Sequence, residues 1–347
     1  MKKLTTLLLV VALILGMGAA FAESDDTTAS LAEAAQEIGS LAGQPVESVA
    51  EPDENGERKQ VYLLYPTLQW PFPVSLMEAC TYYAEQCNID LTIFDSNLDD
   101  NLQYEQAMQA IEDEVDLVIL CSLSDRGIVI MRQLNEAGIP CVILNQEPAE
   151  GSEEYYTTAI VTNDYDDSVK ITEMLLEHFN GEDFNVVVIS GEPADSGNTG
   201  RLNGFYDTIE GHENVHVLGE QAANWDKAQA ISVMENFITK YGEDIDVAFC
   251  CDDTMAAGAV EALEAAGMGG GQVLVTGNSL SSEAIAYIKS GEMFCTASHE
   301  PWDMAKLCME TVSRVLNGEE VEKRYYCPNP IYNKDNISEY PYGDGTW

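Results

Sequence analysis

The stretch VAFCCDDTMAAGAVEALEAAG, residues 247–267, joins a short apolar run to a helical pattern. The apolar run, residues 247–250, has the length and composition of a buried strand, and the residues after Thr254 place apolar side chains at the spacing of one helix face. A wholly apolar strand followed at once by a helix is typical of a parallel sheet covered by helices on both faces. Asp252 and Asp253 therefore stand where a buried strand ends and a helix begins.

The same succession of a short apolar run and a helical pattern recurs from residue 61 to residue 316. The predicted strands are residues 61–65, 90–94, 117–121, 141–144, 159–161, 185–189, 215–218, 247–250, 273–276 and 293–296. Alternating strands and helices predict an α/β protein, and these strands divide into two sets of similar size. We therefore expect two doubly wound, Rossmann-like lobes, each built on a parallel sheet.

The first residues predict export from the cytoplasm. Lys2 and Lys3 precede an apolar run over residues 4–21, which ends in Ala20-Phe21-Ala22. A basic start, an apolar centre and small residues at the end are typical of a secretory signal peptide, here residues 1–22. The alternative is an uncleaved anchor helix.

The remaining chain divides by composition into a leader and two lobes. Residues 23–60 are rich in acidic and small residues and predict a flexible acidic leader. The first, N-terminal lobe is predicted to contain residues 61–162 and 300–328. The second, C-terminal lobe is predicted to contain residues 163–299 and 329–347.

Charge and cysteine content exclude several classes of function. The chain has 16 Lys+Arg against 60 Asp+Glu, a formal net charge of −44. Such a charge repels nucleic acid and anionic lipid, so neither is an expected partner. The 9 cysteines include the adjacent pair Cys250-Cys251 and show no zinc-binding spacing. We predict mostly free thiols, with one or two disulfides left open, and neither metal nor cofactor.

The residues that follow the predicted strands are the candidates for a ligand site, because ligands of parallel sheets collect at the carboxyl ends of the strands. Trp70 follows the first strand, Asn145 and Gln146 follow the fourth, and Asp252 and Asp253 follow the eighth. Aromatic rings, amides and carboxylates together suit a polyhydroxylated ligand, because rings cover its C–H faces and forked polar groups bind its hydroxyls.

These residues allow structural interpretations as well. The aromatic side chains could serve only in packing, and Arg201 could form a structural ion pair. His299 could be a polar residue near a hinge. Asp253 could cap the helix rather than contact a ligand.

Five stretches carry a resemblance to a known family. They are WPFPVSLMEAC (70–80), GIPCVILNQEP (138–148), SGNTGRLNGF (196–205), FCCDDTMAAGAVEALEAAG (249–267) and TASHEPWDMA (296–305). They resemble the periplasmic sugar-binding proteins of ABC transporters, type I, the group of the ribose- and galactose-binding proteins, and the last three stretches also agree in order and spacing. The resemblance extends from about residue 61 to residue 330.

The resemblance implies which residues contact the ligand. They are Trp70, Phe72, Asn145, Gln146, Arg201, Trp225, Asp252, Ser279 and His299. It also implies two lobes joined by a multi-strand hinge, with the chain crossing near residues 161–163, 299 and 327–330.

Several positions depart from the family pattern. Asn145-Gln146 lacks the usual arginine, Trp70 replaces a usual asparagine, and His299 stands where glutamine or asparagine is common. The loop after the ninth strand offers Asn278 or Ser279 in place of a usual aspartate. The pattern of hydrogen bonds to the ligand is therefore changed, and the sequence does not assign a particular sugar.

The resemblance implies an exported monomer that captures a monosaccharide or similar molecule by hinge closure and delivers it to an ABC transporter permease. One alternative is a sensor that presents the ligand to a chemoreceptor or histidine kinase. Another is a binder of a nucleoside, a polyol or a furanone signal. An enzyme is not expected, because the hydrolase, metalloprotease and P-loop motifs are lacking.

Overall fold

The computed structural model describes residues 45–53, 55–122, 124 and 126–347, so the predicted signal peptide lies outside the described residues. The strands are β1 Lys59–Tyr65, β2 Ile89–Asp95, β3 Leu117–Leu120, β4 Cys141–Asn145, β5 Thr158–Val161, β6 Phe184–Ser190, β7 Val215–Ala222, β8 Val247–Cys250, β9 Leu274–Ser279, β10 Cys295–Ser298, β11 Arg324–Tyr326 and β12 Ile331–Asn333. The helices are α1 Pro71–Gln86, α2 Asp100–Glu112, α3 Gly127–Ala137, α4 Asp164–Phe179, α5 Ser196–Ile209, α6 Lys227–Tyr241, α7 Asp253–Ala265, α8 Ser282–Ser290 and α9 Pro301–Leu316.

The strands form two six-stranded sheets, one in each lobe. Their orders are β11-β5-β4-β3-β1-β2 and β12-β10-β9-β8-β6-β7. Among the described strands every pairing is parallel except that of β10 with β12. The predicted α/β fold of two doubly wound lobes is confirmed.

The alternation of side chains along β3 shows why these sheets need helices on both faces. Leu117 and Ile119 pack into one hydrophobic core, whereas Val118 and Leu120 pack into another on the opposite face. Successive strand residues point to opposite faces of a sheet, so a wholly apolar strand must be covered twice. Each fully buried side chain of this kind contributes about 1.5–3 kcal/mol.

The chain crosses between the lobes at residues 162–163, 299–300 and 327–330, which agrees with the predicted hinge. The first crossing leads into α4, which packs closely against α5. A Cβ atom on Gly204 of α5 would lie 2.3 Å from the carbonyl oxygen of Tyr165 in α4, so only glycine allows this approach. The contact matters for the site because α4 and α5 carry Asp164 and Arg201.

The predicted flexible leader, residues 23–60, is wrong for its last part. β1 already begins at Lys59, and the segment before it lies against the first lobe. Ala50 is buried, and its backbone N–H donates to the carbonyl of Cys87 at 2.8 Å. The backbone N–H of Glu47 donates to Glu310 of α9 at 2.7 Å. Composition alone misjudged this segment, because a few tertiary contacts hold it in place.

The C-terminal residues also differ from the predicted division of the chain. The sequence places residues 329–347 in the second lobe, and β12 does belong to that lobe's sheet. The side chain of Tyr342, however, packs against the cores of both lobes. The end of the chain therefore contacts both lobes.

The 9 cysteines all lie within the described residues and are buried free thiols, so the structure has neither of the one or two disulfides that the sequence left open. Burial raises the pKa of Cys141 and of Cys251 to about 12. Among the described residues, His, Cys, Asp and Glu side chains form no group arranged to hold a metal ion. The described helices include none with the length and apolar character needed to cross a membrane.

Candidate functional site

A cavity lies between the two lobes, at the carboxyl ends of both sheets. Its empty volume is about 690 Å³, which includes space open to solvent. All of the predicted ligand-contacting residues line it, namely Trp70, Phe72, Asn145, Gln146, Arg201, Trp225, Asp252, Ser279 and His299. The structure adds Tyr65, Thr162, Asp164, Asp195, Thr254 and Trp347 to the lining.

Aromatic rings form much of the cavity wall. Trp70 and Phe72 lie at the start of α1, where Pro71 favours the first helical turn. Trp225 lies across from them in the second lobe, with a left-handed backbone at φ +61°. A Cβ atom on Gly191 would lie 2.2 Å from the Trp225 ring, so the glycine leaves the space that this ring occupies.

A buried ion pair forms the floor of the cavity. The Arg201 Nε–H donates to Asp164 Oδ1 at 2.7 Å, and its Nη1 donates to the carbonyl of Cys251 at 2.6 Å. Burial is the largest single effect on the pKa of Asp164 and raises it, but the charge and hydrogen bond of Arg201, together with smaller contributions from other neighbours, lower that pKa below its usual value. The ion-pair interpretation of Arg201 therefore holds, and the same side chain also lines the cavity.

His299 extends this ion pair to the hinge. Arg201 Nη2 lies 3.2 Å from His299 Nδ1, and since arginine can only donate, Nδ1 accepts and the ring proton sits on Nε2. That Nε2–H donates to Asp167 Oδ2 at 3.2 Å, and Asn329 Nδ2 donates to the same oxygen at 2.7 Å. Hydrogen bonds thus join His299 and Asn329, which lie in two of the crossings, to the start of α4, which follows the third.

Asp252 takes both of the roles that the sequence suggests for this junction. Asp252 lines the cavity and also caps α7, because its Oδ1 accepts the backbone N–H of Met255 at 2.8 Å. Asp253 is wholly buried and accepts from the Thr296 hydroxyl and the Ser281 N–H, both at 2.6 Å. Asp253 therefore begins α7 without capping it, and it does not line the cavity. Burial raises the pKa of Asp252 to about 6 and that of Asp253 to about 7.

Gln146 connects the two lobes directly. Its Nε2 donates to Asp195 Oδ2 at 3.1 Å, and its Oε1 accepts the Ser196 hydroxyl at 2.7 Å and the Gly197 N–H at 3.3 Å. Gln146 follows β4 of the first lobe, whereas its partners lie at the start of α5 in the second. Both ends of its amide are therefore engaged across the cleft.

Some of the lining residues that the sequence analysis missed carry a signal in the sequence, and others do not. Asp164 and Asp195 follow β5 and β6, so the rule of strand ends also points to them. Trp347 is remote from any strand end, and its place in the wall depends on the path of the C-terminal residues.

Comparison with known proteins decides the family. The model of the periplasmic binding protein domain matches residues 61–320. The chain belongs to the periplasmic binding protein family. The ribose import binding protein of Bacillus subtilis is 26% identical over 282 residues, which cover 80% of this chain and 89% of that protein. A putative rhizopine-binding protein of Rhizobium meliloti is 27% identical over 256 residues, covering 73% and 82%.

A solved structure shows the same fold. The ABC transporter solute binding protein of Bacillus halodurans C-125 with bound myo-inositol has a TM-score of 0.77 at 24% sequence identity, covering 83% of this chain and 99% of that one. The predicted family, the type I periplasmic sugar-binding proteins, is thereby confirmed. Its members are extracytoplasmic binding proteins of ABC transporters rather than enzymes.

Replacing Gln146 in this periplasmic binding protein is expected to open the cleft. Gln146→Ala removes hydrogen bonds that join the lobes and none that join residues within one lobe. We expect a larger radius of gyration for the ligand-free variant than for the wild type, measured by small-angle X-ray scattering. Gln133→Ala is the matched control, because the Gln133 side chain donates to Glu136 on the same helix and makes no other hydrogen bond among the described residues. Equal radii for Gln146→Ala and the wild type would contradict the prediction.

The stability of this periplasmic binding protein should depend on the protonation of Glu300. Glu300 lies at the hinge, where its Oε2 accepts the Tyr340 hydroxyl at 2.6 Å and its Oε1 accepts the Thr346 hydroxyl at 2.7 Å. Burial raises its pKa from 4.5 to about 7. The folded state then holds this proton more tightly than the unfolded state, so stability falls as the pH rises from about 4.5 to about 7.

Glu300→Gln tests this dependence. The neutral side chain has no charge to desolvate, so the variant should lose up to about 3 kcal/mol of the pH-dependent change in unfolding free energy. Urea unfolding between pH 5 and pH 7.5 measures it. The exposed Glu319→Gln serves as control for the general effect of removing one negative charge. Identical pH slopes in the two variants would refute the assignment.

Proposed function

We propose that the protein captures a monosaccharide or a similar polyhydroxylated molecule in the cleft, closes around it by hinge motion, and delivers it to an ABC transporter permease. The observation that carries the proposal is the lining of the cavity, where aromatic rings and hydrogen-bonding groups from both lobes face one space. The relatives and the solved structure described above are named for ligands such as ribose and myo-inositol, which carry several hydroxyl groups.

The proposed contacts divide by chemistry. Trp70, Phe72 and Trp225 would cover the C–H faces of a sugar or cyclitol ring, as aromatic side chains do. Asn145, Asp252 and Ser279 would bind its hydroxyl groups, and so would the donors of Arg201 that the ion pair leaves available. Hydrogen bonds that involve a charged group contribute about 1.5–3 kcal/mol each.

Two of the predicted residues act less directly in this proposal. Both ring nitrogens of His299 are already hydrogen-bonded, one to Arg201 and one to Asp167, so His299 orients Arg201. The side-chain amide of Gln146 is hydrogen-bonded to the opposite lobe, so Gln146 stabilises the closed form around a ligand. We also propose that residues 1–22 direct export, in keeping with a family that acts outside the cytoplasm.

A ligand panel tests the function. Pentoses, hexoses, inositols, linear polyols and nucleosides are added to the purified protein, and the melting temperature is followed. A ligand at 100 times its Kd should stabilise the folded state by about 2.7 kcal/mol. A panel in which no compound raises the melting temperature would overturn the proposal.

Asp252→Asn then tests the site. Asparagine caps a helix about as well as aspartate, so α7 should keep its start while the cavity loses a carboxylate. We expect the Kd of the best panel ligand to rise tenfold or more, measured by isothermal titration calorimetry. Asp226→Asn is the matched control, because Asp226 caps α6 in the same way but does not line the cavity. Equal losses of affinity in both variants would count against a ligand contact by Asp252.

A further inference from the structure

The last residues of the sequence form a strap across the cleft. The C-terminal strap, residues 340–347, bonds to both lobes at its end. The Ser75 hydroxyl of α1, in the first lobe, donates to the carbonyl of Thr346 at 3.2 Å. The Ser282 N–H of α8, in the second lobe, donates to the carbonyl of Trp347 at 2.8 Å. The strap therefore connects the lobes independently of the hinge crossings.

Further contacts fix the strap along its length. Tyr340 and Thr346 both donate to the buried Glu300 at the hinge. The Tyr342 hydroxyl donates to Asp303 of α9. Gly345 has a left-handed backbone at φ +106°, and a Cβ atom there would lie 2.5 Å from Ser282 Oγ. A glycine is therefore required where the strap passes the start of α8.

The strap places an additional aromatic ring in the cavity wall. Trp347 lines the cavity and meets Phe72 edge to face, with ring centroids 5.5 Å apart and planes at 82°. Its indole Nε1–H is buried and has no hydrogen-bond partner among the residues that the structure describes. An unsatisfied buried donor costs about 1–3 kcal/mol, so its position needs a compensating interaction.

We propose that Trp347 is a specificity-determining residue of the ligand cleft, positioned by the C-terminal strap so that its ring limits the size of the ligand. The inference rests on the proposed function. A ligand small enough to fit beside the ring gains an apolar contact with it. A ligand with an added substituent on that side would clash sterically with the ring. The strap bonds to both lobes in the arrangement that the structure shows, and in this arrangement the ring lies in the cavity wall.

The test compares a small ligand with an enlarged one. The strongest binder of the monosaccharide and polyol panel is titrated by calorimetry, together with its O-methyl derivatives and the disaccharides that contain it. Trp347→Ala should weaken the parent compound at least tenfold. It should also raise the affinity of at least one enlarged compound relative to the parent by tenfold or more. Trp347→Phe keeps an aromatic ring, so its affinities for both compounds should lie between those of Trp347→Ala and those of the wild type.

The controls separate the ring from the fold. Tyr326→Ala removes an exposed aromatic residue of β11 that does not line the cavity, and it should leave both affinities unchanged. Trp347→Leu keeps apolar volume without an aromatic ring, and it replaces Trp347→Ala in the titrations if the alanine variant unfolds below the assay temperature. Unchanged affinity ratios in folded Trp347 variants would overturn the inference while leaving the proposed function intact. A wild type that binds no panel compound would overturn both.

Discussion

The buried guanidinium of Arg201 is the interaction on which the cleft depends. It lies where the lobes meet and pairs with Asp164. It is also hydrogen-bonded to His299, which bonds to Asp167, and Asp167 in turn accepts from Asn329. A buried charge is stable only when it is paired and its hydrogen bonds are made, and removal of one partner typically costs about 3–5 kcal/mol. The residues beside the hinge crossings are therefore held to one another.

Much of this arrangement could be predicted from the sequence, because it follows from the geometry of parallel strands. Apolar runs followed by helices place their next residues at one edge of a sheet, and this edge is where the cavity lies. The same reasoning missed β11 and β12, which are short edge strands with no wholly apolar run. Their pairing depends on tertiary contacts at the sheet edges, so the local sequence pattern does not indicate that they are strands.

The remaining errors concern contacts between segments far apart in the chain. Whether Asp252 or Asp253 caps α7 depends on a one-residue difference in where the helix begins, which periodicity does not resolve. Gln146 and Trp347 take their positions from the closed arrangement of the lobes and from the path of the strap. The partners of Gln146, for example, lie 49 to 51 residues away along the chain, and no spacing in the sequence marks such contacts.

The burial of all 9 cysteines as free thiols bears on how the chain matures. A thiol is shielded from oxidants only after the core around it has formed. A chain that is exported before it folds exposes every one of these thiols at once, and wrong disulfides then compete with folding. The native state needs none of those bonds, so a reducing exterior favours correct maturation and an oxidising one opposes it.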